Sequence, residues 1–233
     1  NQRARPLPPG ERLDGRYEIL GVLGSGGMGV VYEARRLVLD DVVAIKCLRE
    51  GGDSSDLRAR FLTEARAAAH VRHPNVVSVF DFGEPHDAAP YMVMELLRGE
   101  TLAARLARVG PLDVESTLSY FGPMCAAVEA GHRRGVIHRD LKSANVMLTR
   151  TDDERELVKV LDFGLALIAE PPANGDGALP PTHVAGTCAY ISPELVQGGT
   201  ASPASDVFAL GVVLYEMSTG ALPFDGDTPL ATL

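Results

Sequence analysis

Glycines stand at 24, 26, 27 and 29 in the stretch LGSGGMGVVYEARR, residues 23–36. A Gly-x-Gly-x-x-Gly match by itself marks either a tight structural turn or a phosphate cradle, and its flanks separate the possibilities. A dinucleotide fingerprint runs from a strand into a helix, whose N-terminus holds the pyrophosphate. Here Tyr17 to Leu23 is β-prone with rough alternation, and Val30, Val31 and Tyr32 resume a β-favouring run. Strand, glycine loop, strand makes a hairpin. Its side-chain-poor tip can lie over a triphosphate and offer backbone N–H groups, but no helix dipole.

From Tyr17 to about Glu95 the pattern stays strand-like, through VVAIKCL (42–48), VVSVFDFG (76–83) and YMVMEL (91–96). One helical segment interrupts it over 55–71, with a Ser/Asp cap and Leu57, Phe61, Leu62 and Ala65 at helical spacing. LRGET (97–101) marks a break, after which helices dominate: TLAARLARV, the stretch 113–135 with Pro123 expected to kink it, and 205–220. Two short strands, NVMLT and VKVLD, flank the charged TRTDDERE, and the Pro/Gly-rich stretch 170–182 reads as a mobile loop. Residues 1–15, rich in Pro and Arg, read as a tail or linker. The expectation is an α+β chain with a small β-rich lobe (about 16–96) holding one main helix, a hinge at about 95–99, and a larger helical lobe (about 100–233), with a cleft between the lobes.

Bulk properties narrow the partners. The net charge of −9 over 233 residues argues against nucleic acid, which is bound by clustered Lys and Arg. Cys47, Cys125 and Cys188 are odd in number and widely spaced, which favours free thiols in a reducing compartment over disulfides or zinc. No apolar run approaches the ~18 residues of a membrane span, and 208–217 reads as a buried helix. The chain opens on Asn1 and stops at Leu233 inside a helical pattern, so it is expected to be a piece of something longer.

Several side chains suit phosphoryl transfer. Lys46 ends the strand pattern VAIK, and Glu64 on the following helix could hold its head group against nucleotide phosphates. In HRDLKSAN (138–145), Asp140 can orient an acceptor hydroxyl and take its proton. Lys142 places a cation by the moving phosphoryl group, and Asn145 offers a hard oxygen to a metal. LDFG (161–164) adds Asp162 as a second oxygen ligand, directly after a strand.

Taken together and in this order, the glycine loop, VAIK, a helix Glu, HRD-x-K-x-x-N, DFG and an SPE (Ser192, Pro193, Glu194) make the chain resemble the protein-kinase family, over about residues 16–230. It is most similar to the eukaryotic-like serine/threonine kinases of bacteria. The resemblance implies a bilobal kinase-like fold with ATP in the cleft and Mg²⁺ (Mn²⁺ as a substitute) beside it. It implies that Gly24, Gly26 and Gly29 cover the phosphates, that Leu23, Ser25, Gly27 and Met28 also belong to the nucleotide site, and that Lys46 pairs with Glu64. Val31, Ala44 and Met147 would sandwich the adenine, with Met94 as gatekeeper and the backbone of Glu95 and Leu97 on the base edge. Asp140 would be the catalytic base assisted by Lys142, and Asn145 and Asp162 would ligate the metal. His138, Phe163 and Val79 resemble members of the hydrophobic spine, with the small Ala68 beside them. Asp206 resembles the helix residue that holds the HRD backbone.

Lys142 and the Gly186-Thr187 pair resemble the Ser/Thr-specific branch. Arg139 resembles the arginine that a phosphorylated activation loop recruits, with Thr182 as the acceptor of that phosphate and Thr187 facing substrate. The resemblance implies protein substrates carrying Ser or Thr, including another copy of the protein in trans, and a cytoplasmic domain whose only membrane link lies outside this chain. SPE in place of APE keeps the Pro and Glu. The family continues into further helices with an Arg for that Glu, so Glu194 is expected to lack its partner. A catalytically silent kinase-like scaffold is the alternative reading; the presence of Lys46, Asp140, Asn145 and Asp162 together favours an enzyme.

Overall fold

The structure, a computed structural model, describes residues 6–26, 29–48, 68–84, 89–151, 155–163, 185–224 and 226. The chain divides into two compact units, Asn1–Ala69 with Ser78–Leu97, and His70–Val77 with Arg98–Leu233.

The first unit is a six-stranded antiparallel sheet. Its strands are β1 (Arg12–Leu13), β2 (Tyr17–Ser25), β3 (Gly29–Arg36), β4 (Asp41–Leu48), β5 (Val79–Gly83) and β6 (Tyr91–Glu95), ordered β1-β2-β3-β4-β6-β5. Two-residue alternation sorts the side chains by face. Tyr32 pairs with Ile45, Ala34 with Val43, and Ile45 with Val93, and all five belong to the buried cluster with Leu13, Tyr17, Ile19 and Tyr91. The intervening positions bring Val31 opposite Lys46, Met92 opposite Lys46, and Met94 opposite Ala44, on the other face.

Two boundaries differ from the sequence reading. The stretch 1–15 is not wholly a tail: β1 joins the sheet, Gly10 N–H donates to Ile19 O at 2.8 Å, and Ile19 N–H donates to Glu11 O at 2.9 Å. Leu13 is buried, and Leu7 packs on the same cluster, so two apolar anchors override a Pro- and Arg-rich composition. The stretch 76–83 is not one strand. Val76 bridges in parallel to Val160, and Val77 N–H donates to Val160 O at 3.0 Å, so the second unit takes these residues and β5 begins at Val79.

The second unit holds a small antiparallel sheet, β7 (Gly99–Thr101), β8 (Val146–Arg150) and β9 (Glu156–Val160). Its helices are α1 (Leu102–Val109), α2 (Val114–His132), α3 (Pro193–Val196) and α4 (Pro203–Thr219). Part of the expected break at 97–101 is thus strand, paired with β8. Caps set the helix starts: Thr101 Oγ1 accepts from Ala104 N at 3.1 Å, and Asp113 Oδ1 from Ser116 N at 2.7 Å. Pro123 lies inside α2 without ending it. The buried faces of α2 (Met124, Ala127, Val128) and α4 (Val212, Val213, Met217) belong to packed elements, with α2 also against β9. The expected helix 55–71 lies outside the described residues up to 67; 68–70 are helical and Val71 is not, and the loop 170–182 lies outside the described residues.

Candidate active site

The loop 138–145 runs from the end of α2 into β8 and owes its shape to a carboxylate far away in sequence. Asp206, on the first turn of α4 and 1% exposed, accepts from His138 N at 2.8 Å and from Arg139 N at 2.9 Å. His132 Nε2 donates to the same carboxylate at 2.7 Å. The clamp stabilises a strained backbone, since Arg139 has φ +70°, a region that non-glycine residues seldom enter.

Three side chains converge beyond the clamp. Lys142 Nζ donates to both oxygens of Asp140 at 2.9 Å. Asn145 Nδ2 donates to Asp140 O at 2.7 Å and to Asp140 Oδ2 at 3.0 Å. With its amide nitrogen committed, Asn145 has Oδ1 to present to a cation. The hairpin β8–β9 returns the chain to this point, and Leu161 N–H donates to Asn145 O at 2.9 Å, so Asp162 follows a residue tied to Asn145. Asp162 itself has φ +54°.

His138 supports the loop from below. Its Nε2 donates to Leu161 O at 2.8 Å and its Nδ1 accepts from Asp140 N at 3.3 Å, the pattern of the neutral Nε2–H tautomer. Burial pushes its pKa down, in agreement. Phe163 lies against the imidazole with centroids 4.7 Å apart, and a Cβ added at Gly131 of α2 would come within 2.6 Å of the Phe163 ring. The two rings are tilted by 57° and in contact.

Among the nucleotide candidates, Val31, Ala44, Lys46 and Met94 share the face of the first sheet turned away from its hydrophobic cluster. Leu23, Gly24 and Ser25 end β2, and Gly26 N–H donates to Gly29 O at 2.9 Å across the hairpin mouth. Gly29 has a steric reason to be glycine, because a Cβ there would lie 2.1 Å from Cys47 O of β4. Glu95 N–H donates to Ser78 O at 3.0 Å, so a base contact from Glu95 falls to its carbonyl. Leu97 follows at the end of the first unit, and Met147 lies in β8 of the second.

Gly27, Met28, Glu64 and Thr182 lie outside the described residues, as does the Lys46–Glu64 pair. The backbone of Thr187 belongs to a 3-10 turn, Ala185–Tyr190. Glu194, expected to lack an arginine, accepts from Ser205 Oγ at 2.9 Å. Arg139 Nε and Nη1 are buried with no hydrogen-bond partner among the described residues. Sequence reasoning did not reach His132, whose partner is 74 residues away, nor Tyr190 and Glu216, which meet Ser143 behind the loop.

A clamped Asp140 with a lysine and an asparagine on it, followed by an aspartate after a hairpin, is the arrangement of a protein kinase. The family model "Protein kinase domain" matches residues 17–232, and the chain belongs to that family. It is 40% identical over 220 residues to the serine/threonine-protein kinase pkn3 of Myxococcus xanthus, covering 94% of this chain and 40% of pkn3. It is 39% identical to PrkC of Bacillus subtilis, covering 95% of this chain and 33% of PrkC. It is 40% identical to PknB of Mycobacterium tuberculosis, covering 94% of this chain and 35% of PknB. The chain thus spans about a third to two fifths of the length of these relatives. Among solved structures, the kinase domain of Mycobacterium tuberculosis PknI aligns with TM-score 0.75 and 28% identity over 95% of this chain and 79% of that one. These bacterial relatives agree with the expected eukaryotic-like branch, and the α+β kinase fold with the architecture above. The family uses ATP and a divalent metal. Among the described residues no helix is long and apolar enough to cross a membrane.

Proposed function

We propose that the protein is an ATP-dependent serine/threonine protein kinase whose catalytic domain occupies about residues 16–233. The carrying observation is the Asp140 cluster, held by Asp206 and touched by Lys142 and Asn145. An acceptor hydroxyl donates its hydrogen bond to Asp140. Its oxygen attacks the γ-phosphorus, the bond from that phosphorus to the β–γ bridging oxygen breaks, and ADP departs with the electron pair. The hydroxyl proton passes to the Asp140 carboxylate, and Lys142 balances charge on the moving phosphoryl group. Asn145 Oδ1 and the Asp162 carboxylate would hold Mg²⁺, or Mn²⁺ in its place, which when bound neutralises phosphate charge.

Val31, Ala44, Met94 and Met147 would contact the adenine, with the Glu95 carbonyl and Leu97 N–H on its edge. The glycine hairpin from Leu23 to Gly29 and Lys46, steadied by Glu64, would take the phosphates. Arg139, whose buried Nε and Nη1 have no hydrogen-bond partner among the described residues, would receive a phosphate on Thr182, and Thr187 would face the acceptor. The substrates are proteins carrying Ser or Thr, a second copy of the protein among them. The free thiols of Cys47, Cys125 and Cys188 and the need for ATP support a cytoplasmic location, with any membrane link outside this chain.

The test is Asp140→Asn in the full-length protein. Transfer of ³²P from ATP to a Ser/Thr peptide should fall roughly 10²–10⁴-fold. Nucleotide affinity, measured by calorimetry, should stay near that of the wild type. Loss of ATP binding together with activity would overturn the role given to Asp140.

A further inference from the structure

Within the first unit, residues 6–13 run as a strap beside β2 and fasten both strands of the glycine hairpin. Pro8 O accepts from Glu11 N–H at 3.2 Å, with Pro9 and Gly10 (φ +87°) at the corner, the residues that a type II turn favours there. The turn brings Gly10 N–H onto Ile19 O at 2.8 Å, and Ile19 N–H onto Glu11 O at 2.9 Å. β1 then pairs Arg12 with Glu18 and Leu13 with Tyr17. Ahead of the turn, Leu7 packs on the buried cluster, and its N–H donates to the Tyr32 hydroxyl at 3.1 Å. Tyr32 belongs to β3 and stands opposite Val22 of β2. Just past the strap, Asp14 Oδ2 accepts from Tyr91 OH of β6 at 2.8 Å. The segment is thus held to β2 by its backbone, and to β3 and β6 by the hydroxyls of two buried tyrosines.

Where this fastening stops, the hairpin changes character. Among the described residues, Ile19 is the last of β2 bonded to the strap, and beyond it β2 pairs with β3 alone. The register shifts between Ile19 and Gly21 and again between Val22 and Gly24, which makes Leu20 and Leu23 extra residues on β2. Such bulges bend a strand and interrupt its ladder. Tyr17 and Ile19, before the first bulge, are buried, whereas Val22 and Leu23, after it, are half exposed. The hairpin therefore has a held root and a less supported tip, which carries Gly24, Gly26 and Gly29. Prolines at 6, 8 and 9 restrict the strap before it docks and so reduce the entropy that docking costs.

We infer that Leu7, Gly10 and Glu11 are positioning residues: the strap they form fixes the root of the glycine hairpin and so sets how readily its tip closes on nucleotide phosphates. This rests on the reading of that hairpin as the phosphate cover. A strap that only added stability would, when loosened, lower the thermal midpoint and free the whole sheet alike, with KM for ATP unchanged.

The experiment uses the full-length protein carrying Gly10→Pro or Leu7→Ala. Proline has no N–H for Ile19 O and cannot take φ +87°, so it lifts the strap from β2. Leu7→Ala shortens the anchor on the cluster and keeps every backbone bond. kcat and KM are measured separately for ATP and for a Ser/Thr peptide, and ATP affinity by calorimetry. Amide hydrogen exchange without nucleotide is followed at Gly26, whose N–H reaches Gly29 O, and at Ile45 in the central strand β4. Each variant should raise KM for ATP roughly fivefold, the scale of one lost backbone bond or one partly buried leucine. kcat at saturating ATP and KM for the peptide should stay within about twofold of wild type, because only nucleotide binding is weakened. Exchange at Gly26 should quicken while exchange at Ile45 holds. A folded Gly10→Pro protein with wild-type KM for ATP and wild-type exchange at Gly26 would overturn the inference, and so would equal quickening at Gly26 and Ile45. If Gly10→Pro does not fold, the same readings on Leu7→Ala decide. A wild-type protein that transfers no phosphoryl group would instead fail the kinase reading, and calorimetry and exchange would still decide whether the strap holds the hairpin.

Discussion

Burying a carboxylate is costly unless its oxygens are filled, and Asp206 fills them with two backbone N–H groups and an imidazole. The bonds are directional as well as stabilising, since they hold Arg139 at a positive φ and so aim Asp140. Asp206→Asn keeps the shape but turns an NH₂ toward one of those donors. It should cost about 1–3 kcal/mol, the scale of a buried group left without its partner. Urea denaturation of both proteins measures this, and an unchanged midpoint would show that the clamp is dispensable. Gly131 makes a steric counterpart. A Cβ there meets the Phe163 ring at 2.6 Å, and Gly131→Ala should cost about 1–3 kcal/mol as overpacking. Equal stability of Gly131→Ala and wild type would mean that the ring moves aside freely.

Between elements, the ion pairs of α1 give the second unit a pH-dependent seam. Arg105 reaches Glu100 of β7 at 2.5 Å and Glu156 of β9 at 2.7 Å, and Tyr120 of α2 accepts its Nη1 at 3.0 Å. Arg108 joins Glu100 at 2.6 Å. Hydrogen bonds from Arg108 first, and then Arg105, hold the Glu100 carboxyl down at about 2, against an ordinary 4.5. A depressed carboxylate contributes stability that is fully present above its unfolded pKa and is lost as pH falls through the folded one. Thermal midpoints should therefore decline as pH falls from about 4.5 to about 2, and Glu100→Gln should flatten that part of the curve. Parallel curves for the two proteins would refute the assignment. Capping adds to the same acid sensitivity: the Ser116 N–H bond holds the Asp113 carboxyl below its ordinary range, and Asp113→Ala, which removes that acceptor, should lower the thermal midpoint at neutral pH more than in acid.

For the whole molecule the predictions concern nucleotide and loop phosphorylation. Asn145 and Asp162 present hard oxygens, so ATP should bind more tightly with Mg²⁺ than in excess chelator. Titration calorimetry of the full-length protein reads the difference, and equal affinities would remove the metal role of both residues. A buried guanidinium whose Nε and Nη1 find no partner among the described residues is costly, and a phosphate on Thr182 would bring about −1.5 to −2 charges to Arg139. Mass spectrometry of autophosphorylated protein should find Thr182 modified, and Thr182→Ala should lose activity. Full activity with Thr182 unmodified would end that proposal.

What the sequence determined by itself was whatever local chemistry can encode. The strands of the first sheet follow two-residue alternation, the helices 102–109, 114–132 and 203–219 follow their caps and period, and the HRDLKSAN and LDFG motifs carry their own reacting groups. Composition misled where two anchors outweighed it, at Leu7 and Leu13, and where one apolar run, 76–83, was shared between two units. Tertiary structure alone decided which distant groups meet: His132 and Asp206 are 74 residues apart, Ser143 and Glu216 73, and Arg16 and Asp81 65. No local period records such pairs, because a histidine, a serine or an aspartate looks the same in a solvated loop as in a buried clamp. Their meaning arises only when packing removes water and leaves one partner to satisfy each polar atom.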